Sequence, residues 1–453
     1  MTDSLFSGAH SLRVAHERRR LVLTLLCLPI SLGVVGFFFQ NAVTVHSLVL
    51  ILIGAMLYVA LARGRFLGGG VRIGPGQFDH VFRVVEECSQ LVGVVTPHVF
   101  LRDDPFIPIV SLGTGDPYAL VFSSQYIELF TEDELRFLVG RELAHVGAGH
   151  TKFSSLLSAN GRENAVIAIA FGAWLRTIEY TADRVGLLCC GSLAAAFSAI
   201  ATSTFHRVGR KIDMHAFADQ RRELDAEPSL RMGEWLSSNP YATNRIARLA
   251  AFARDPLFQY WSERFAERRT GVRAQAVTLA DDDPRRFAGP WRRAIAFAID
   301  FIVISALIPT SEPDAKEIEK ATGGVVKVSG TDVHYALSDP TIPSGLRHFL
   351  DWLANGSWSI TITADRMMVW LALAAYVIVL VAFAGQTLGM MICDLRVVGD
   401  RRERIGLGRA VARYACLVMS LSVVVGFISA LRRVQPFEKW SRTRLVNGNA
   451  VRP

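Results

Sequence analysis

Between Thr131 and His150 the chain reads TEDELRFLVGRELAHVGAGH, which has the spacing of a metal-hydrolytic helix with one member exchanged. In a His-Glu-x-x-His helix, the two imidazoles lie one turn apart on one face and hold a zinc ion, while the glutamate activates a bound water. A ligand from a later helix completes the set, and the open position keeps the water, whose pKa the metal lowers toward about 7. Here Arg141 takes the first histidine position, Glu142 and His145 keep theirs, and Glu179 and Asp183 sit in EYTADR downstream.

Arg141 changes what such a site can do. A guanidinium has no lone pair for a metal and carries its own positive charge, so two protein ligands remain where catalytic zinc takes three. His150 lies five residues past His145, about 140° around a continuous helix, and reaches the site only if the helix breaks near Gly147 or Gly149. The economical alternative sets Arg141 where the metal would be, its planar fork pairing with Glu179 or Glu142. His98 and His206 have no ligand spacing.

The positioning elements follow from local signals. Thr131 with Glu134 forms a capping box, and Leu135, Leu138, Val139, Glu142 and His145 recur at helical spacing. Residues 78–91 read as a helix, and residues 95–101 and 117–123 as short strands. The apolar run 165–175 is too short to span a membrane and leads into the helical pattern of 176–191. The stretch 254–289 reads as a linker.

Elsewhere the composition points to lipid. The 453-residue chain is 51% hydrophobic with formal net charge +8, its arginines clustered at 18–20 and 401–409 as juxtamembrane flanks. That pattern argues against a nucleic-acid footprint. Residues 21–39 and 43–62 read as a transmembrane hairpin with cytoplasmic ends, and apolar runs return at 294–308, 367–384 and 410–430. The six cysteines lack metal or disulfide spacing and read as small buried hydrophobes. Asp300 lies in an apolar run behind Arg293, and Arg413 enters another; an acid at such depth is paired or functional, and an Asp300–Arg413 pair locking two helices is the favoured reading over an ion path.

Two resemblances organise these readings. DELRFLVGRELAHVGAGH, then E-x-x-A-D-R-x-G, then Asn239-Pro240-Tyr241-Ala242-Thr243-Asn244-Arg245-Ile246 resembles the HtpX and CAAX prenyl protease family over about residues 78–249. The resemblance implies a gluzincin fold with zinc as cofactor, Glu142 as base, His145 and Glu179 as ligands, Asp183 orienting a ligand, and residues 117–122 as an edge strand that pairs an extended substrate; a buried core strand is the other reading of that segment. The chain departs from the family at Arg141 and at Asn239, where the family has histidine. Separately, Arg293, Asp300, the Gly385–Gly389 segment and Glu438–Val446 are similar to the RDD membrane family over about residues 287–446.

The combined expectation is a mainly α membrane protein: a transmembrane hairpin (1–67), a gluzincin-like α+β peptidase domain with a small sheet (68–255), a linker (256–286) and a helical RDD membrane domain (287–447). It is expected in a bacterial inner membrane, multi-pass, with the peptidase-like domain cytoplasmic. Partners would be the lipid bilayer and a peptide or membrane-protein segment, with no nucleic acid. Two functions stay open: zinc-dependent endopeptidase, or a catalytically silent pseudopeptidase serving as peptide-binding adaptor or as regulator of the RDD module.

Overall fold

The computed structural model describes residues 5–38, 68–157, 165–226, 233–307, 326–329, 359–399, 405–422 and 436–447, apart from short gaps within them. The site-bearing part begins with α1 (Glu17–Phe38), β1 (Val71–Ile73), α2 (Asp79–Val92), β2 (His98–Arg102), β3 (Ile109–Leu112) and β4 (Ala119–Ser123). It continues with α3 (Glu132–Ala148), α4 (His150–Leu157), α5 (Ala165–Cys190), α6 (Leu193–Phe205), α7 (Met214–Ala226), α8 (Ala242–Phe252) and α9 (Pro256–Gly271).

The sheet order is β1-β2-β4-β3. β2 and β4 run parallel with His98 opposite Ala119, while β1 and β3 pair antiparallel on the two outer sides. Strand periodicity splits the side chains: Val99, Leu120 and Phe122 enter the large core, and Phe100, Leu112 and Val121 form a small cluster on the opposite face. β4 is therefore an interior strand with both edges paired, which agrees with the core-strand reading of residues 117–122 and not with the edge reading; β1 and β3 hold the open edges.

The large core joins α2, α3, α5, α6 and α9 through Val85, Phe137, Leu143, Leu187, Ile200 and Trp261. Two glycines set the α3–α5 crossing. A Cβ on Gly140 would stand 2.7 Å from Cys189 Cβ, and one on Gly186 would stand 2.7 Å from the Phe137 carbonyl oxygen. Close approach at this crossing lets short polar side chains on facing turns meet. The segment before α1, which turns back on itself through the Leu12 amide to the Leu5 carbonyl, belongs to the same core, with Leu5, Phe6 and Leu12 buried and Trp261 Nε1 donating to the His10 carbonyl at 2.8 Å. The stretch expected to be a linker opens with α9, whose Trp261 and Phe265 are core residues.

A second core gathers α10 (Pro290–Leu307), α11 (Ala364–Ala384), α12 (Leu388–Ile392), β7 (Leu395–Gly399), α13 (Leu407–Ser422), α14 (Pro436–Trp440) and β8 (Thr443–Asn447). Its buried centre includes Ala296, Ile299, Val381, Leu395 and Leu445, and β7 pairs antiparallel with β8. Two further strands, β5 (Val326–Ser329) and β6 (Ser359–Ile362), pair antiparallel with each other.

Among the described residues no helix is long and apolar enough to cross a membrane. This overturns the membrane part of the fold expectation, the transmembrane hairpin included, while the mostly helical chain with a small sheet stands. Two of the runs that looked spanning are short and charged: α10 has 18 residues including Arg292, Arg293 and Asp300, and α13 has 16 including Arg409 and Arg413. α1 opens on Glu17-Arg18-Arg19-Arg20, and its first turns are tied to α5 by Arg20 bonding to Thr177 and Ala173. The second expected span, 43–62, lies outside the described residues.

Candidate functional site

The capping box forms as read, with the Thr131 amide donating to Glu134 Oε2 at 2.7 Å and the Glu134 amide to Thr131 Oγ1 at 3.4 Å. From that start α3 carries Arg141, Glu142 and His145 inward, all buried, facing Glu179 and Asp183 on α5. The Arg141 guanidinium lies between those two acids, bonded through Nη2 to Glu179 Oε2 and with Nε 2.8 Å from Asp183 Oδ1. Asp183 is clamped from its far side by Arg245 of α8, at 2.9 Å and 2.7 Å to its two oxygens. This fork-on-carboxylate pairing has the bidentate geometry that arginine favours.

Glu142 is turned elsewhere. Its Oε2 accepts the Ser111 amide of β3 at 2.8 Å, so its carboxylate ties α3 to the sheet edge. Ser111 Oγ in turn lies 3.0 Å from Thr151 Oγ1 on α4.

α3 ends at Ala148 because Gly149 adopts a left-handed φ of 80°, and α4 restarts at His150. The break folds His150 back, bringing its Nδ1 to 3.2 Å from His145 Nδ1. His150 Nε2 then meets Glu17 Oε1 at 2.9 Å, and Thr181 Oγ1 donates to Glu17 Oε2 at 2.5 Å. Arg13 also bonds Glu17, approaches His150 Nε2 at 3.2 Å, and donates to the Ala148 carbonyl at 2.5 Å, a cation at the C-terminal end of α3. On the opposite side His145 Nε2 lies 3.5 Å from Glu179 Oε1.

A polar chain therefore runs Glu179–His145–His150–Glu17, closed at its ends by Arg141 and Arg13. Burial alone would lower the pKa of His145, but the bond and charge of Glu179 hold it above the ordinary histidine value. For His150 burial wins over Glu17, and its pKa falls to about 4. For Glu17 the burial penalty is outweighed by His150, Thr181 and Arg13, and its pKa drops to about 2. Glu179 is likewise held well below the carboxylate range, the Arg141 charge overcoming its burial. With the proton on His145, its Nδ1–H donates to His150 Nδ1 and His150 Nε2–H donates to Glu17, which leaves Arg13 Nη1 beside that nitrogen as a neighbouring charge rather than a bonded donor. One imidazolium also balances the Glu17, Glu142, Glu179 and Asp183 carboxylates against the Arg13, Arg141 and Arg245 guanidiniums.

These residues do not fit a zinc ion. Arg141 fills the space between Glu179 and Asp183, Glu142 is spent on the Ser111 amide, and His145 is hydrogen-bonded through both nitrogens. Among the described residues no group of three or more His, Cys, Asp or Glu is arranged around a metal position. The Asn239 amide donates to Ser237 Oγ at 3.2 Å.

The second charge cluster pairs differently from the expectation. Asp300 accepts from Thr387 Oγ1 at 2.5 Å, Tyr376 Oη at 2.8 Å and the Gly389 amide at 2.8 Å. Arg413 and Arg293 instead converge on Glu438 Oε1, at 3.4 Å and 3.0 Å, and Arg413 also bonds Thr443 Oγ1 at 2.7 Å. The expected Asp300–Arg413 pair is thus replaced by two separate networks, the acid taking neutral donors and both cations sharing one glutamate.

Sequence reasoning did not name Glu17, Arg13 or Ser111, which come from segments far from the helix in sequence and carry no spacing signal. Arg245 sat inside the quoted Asn239–Ile246 motif, and His150 was named with the condition, a break at Gly149, that the structure meets.

Residues 340–437 match the model of the RDD family. The C-terminal part of the chain carries an RDD family domain. The chain is also 23% identical over 188 residues to plastoglobule-localized metallopeptidase 48, chloroplastic, of Arabidopsis thaliana, an alignment covering 38% of this chain and 54% of that protein. The chain thus spans about half the length of that relative. This distant likeness supports a metallopeptidase-like character at the family level. No solved structure matches the chain significantly.

Proposed function

We propose that the part of the chain before the RDD domain is a pseudopeptidase: a metallopeptidase-like scaffold that binds an extended peptide or membrane-protein segment without zinc chemistry. The observation that carries this reading is Arg141 lying between Glu179 and Asp183, where its charge does for the carboxylates what a metal would otherwise do. In this reading Glu142 is an anchor rather than a base, and His145 and Glu179 are partners in an ion-paired chain rather than ligands. The open edge of β3, beside α3, is the place for an added strand, which would take the Ser111 amide from Glu142.

We further propose domain limits near 68–271 for the scaffold and 287–447 for the RDD module, with a peptide-bound scaffold regulating that module. The RDD domain supports a place at a membrane for the protein. The second reading, a zinc endopeptidase of the HtpX and CAAX prenyl protease kind, is favoured only by the retained Glu142, His145 and Glu179.

Metal analysis of the purified full chain beside its Arg141→His variant separates the two. The pseudopeptidase reading expects no bound zinc in the unmodified protein and a gain in the variant; one zinc per chain without substitution defeats it.

A further inference from the structure

Outside the ion-paired chain, α5 and α8 enclose a cleft lined by Tyr180, Arg184, Arg248, Leu249, Phe252 and Asp255, with an empty volume of about 630 Å³ counting its open mouth. Its charges are unevenly occupied. Asp183, in its lining, is already claimed by Arg245 through both oxygens and by Arg141 beside Oδ1. Asp255 turns its Oδ1 to the Leu257 amide at 2.9 Å, at the start of α9. Two cations remain available. The Arg248 guanidinium lies 4.0 Å over the Tyr180 ring, and that of Arg184 lies 4.9 Å over the Phe252 ring.

A guanidinium held over an aromatic ring by its charge still has N–H donors to give to a ligand. Arg184 spends one donor on the Leu12 carbonyl at 3.3 Å. Two arginines against one helix-bound aspartate leave a single net positive charge. Beside them Val14, Leu249 and Phe252 give an apolar wall. A singly charged anion with a short aliphatic group fits this combination better than a dianionic phosphate.

We propose that this cleft binds a carboxylate carried on a small apolar group, either a free acid or the C-terminal end of a peptide. Arg248 and Arg184 hold the two carboxylate oxygens, and the aliphatic part lies against Leu249 and Phe252. The two sources share this chemistry and differ only in whether a peptide chain is attached to the residue that bears the carboxylate.

Calorimetric titration of the full chain with N-acetyl-leucine, N-acetyl-leucinamide, inorganic phosphate and a leucine-ended pentapeptide acid tests it. The acid should bind at least about tenfold tighter than the amide, since charge-assisted bonds are the ones lost. Arg248→Gln, at an exposed position, should remove most of that difference, and Asp255→Asn, which keeps an acceptor for Leu257, should strengthen acid binding. A pentapeptide binding as well as or better than N-acetyl-leucine assigns the site to peptide ends; its exclusion assigns it to free acids. Equal binding of acid and amide, tighter binding of phosphate, no binding of either acid, or indifference to Arg248→Gln overturns the proposal.

Discussion

His145 and His150 meet through their Nδ1 atoms at 3.2 Å, although five residues on an unbroken helix would set them about 140° apart. The left-handed Gly149 makes the difference, and it makes the site a two-imidazole bridge between acids on α5 and α1. Substituting Gly149 by alanine should therefore lower stability by about 1 kcal/mol or more, the cost of forcing a side chain into that backbone region. Chemical denaturation of wild type and variant reads this directly; an unchanged midpoint would show that the turn relaxes without strain.

Removing Arg141 should be costlier. Arg141→Met leaves the buried Asp183 and the half-buried Glu179 with one guanidinium fewer, and breaking one side of such a pair costs up to about 3–5 kcal/mol. The double variant Arg141→Met, Glu179→Gln should recover part of the loss, because the uncompensated charge is gone. A urea double-mutant cycle measures the coupling; strict additivity would count against the ion-paired centre.

The histidine pair also fixes a pH profile. His150 is depressed to about 4 in the fold, so between 6.5 and 4 the unfolded chain takes up a proton that the fold refuses, and stability falls as pH drops through that window. Glu17, at about 2, extends the same loss to lower pH. His145 is raised, so its contribution is full below 6.5 and is lost as pH rises through its folded value. Stability should peak near pH 6.5, His150→Gln should flatten the acid limb, and His145→Gln the alkaline limb. Thermal unfolding followed from pH 4 to pH 9 checks each limb separately.

In the RDD domain, Gly389→Ala should destabilise by at least about 1–3 kcal/mol, the usual range for overpacking. A Cβ there would lie 2.0 Å from the Ala296 carbonyl oxygen and 3.0 Å from Asp300 Cγ, forcing α12 off α10. Limited proteolysis of the full chain should show faster cleavage in the C-terminal part alone.

The local half of this molecule is readable in its residues. The Thr131 cap and the inward face of α3 follow from spacing, because helical periodicity is a short-range rule, whereas the roles of Glu179 and Asp183 came from the resemblance to the HtpX and CAAX prenyl protease family. What spacing does not carry is the partner of each buried charge. Arg13 and Glu17 reach His150 across more than a hundred residues, Arg245 answers Asp183 from another helix, and Glu438 draws both Arg293 and Arg413 away from Asp300. The interior place of β4 depended on strand order, which a lone apolar run does not encode. Hydropathy counted apolar residues along α10 and α13 but not the internal bonds that their charged members make.

The bond from the Ser111 amide to Glu142 has a further consequence for self-association. β3 is an outermost strand, and an outermost strand with unclaimed amides is a template for copying itself onto a neighbouring molecule. By holding that amide with an inward-pointing acid, the chain keeps its sheet from growing sideways. Glu142 then acts as a safeguard against edge-to-edge association.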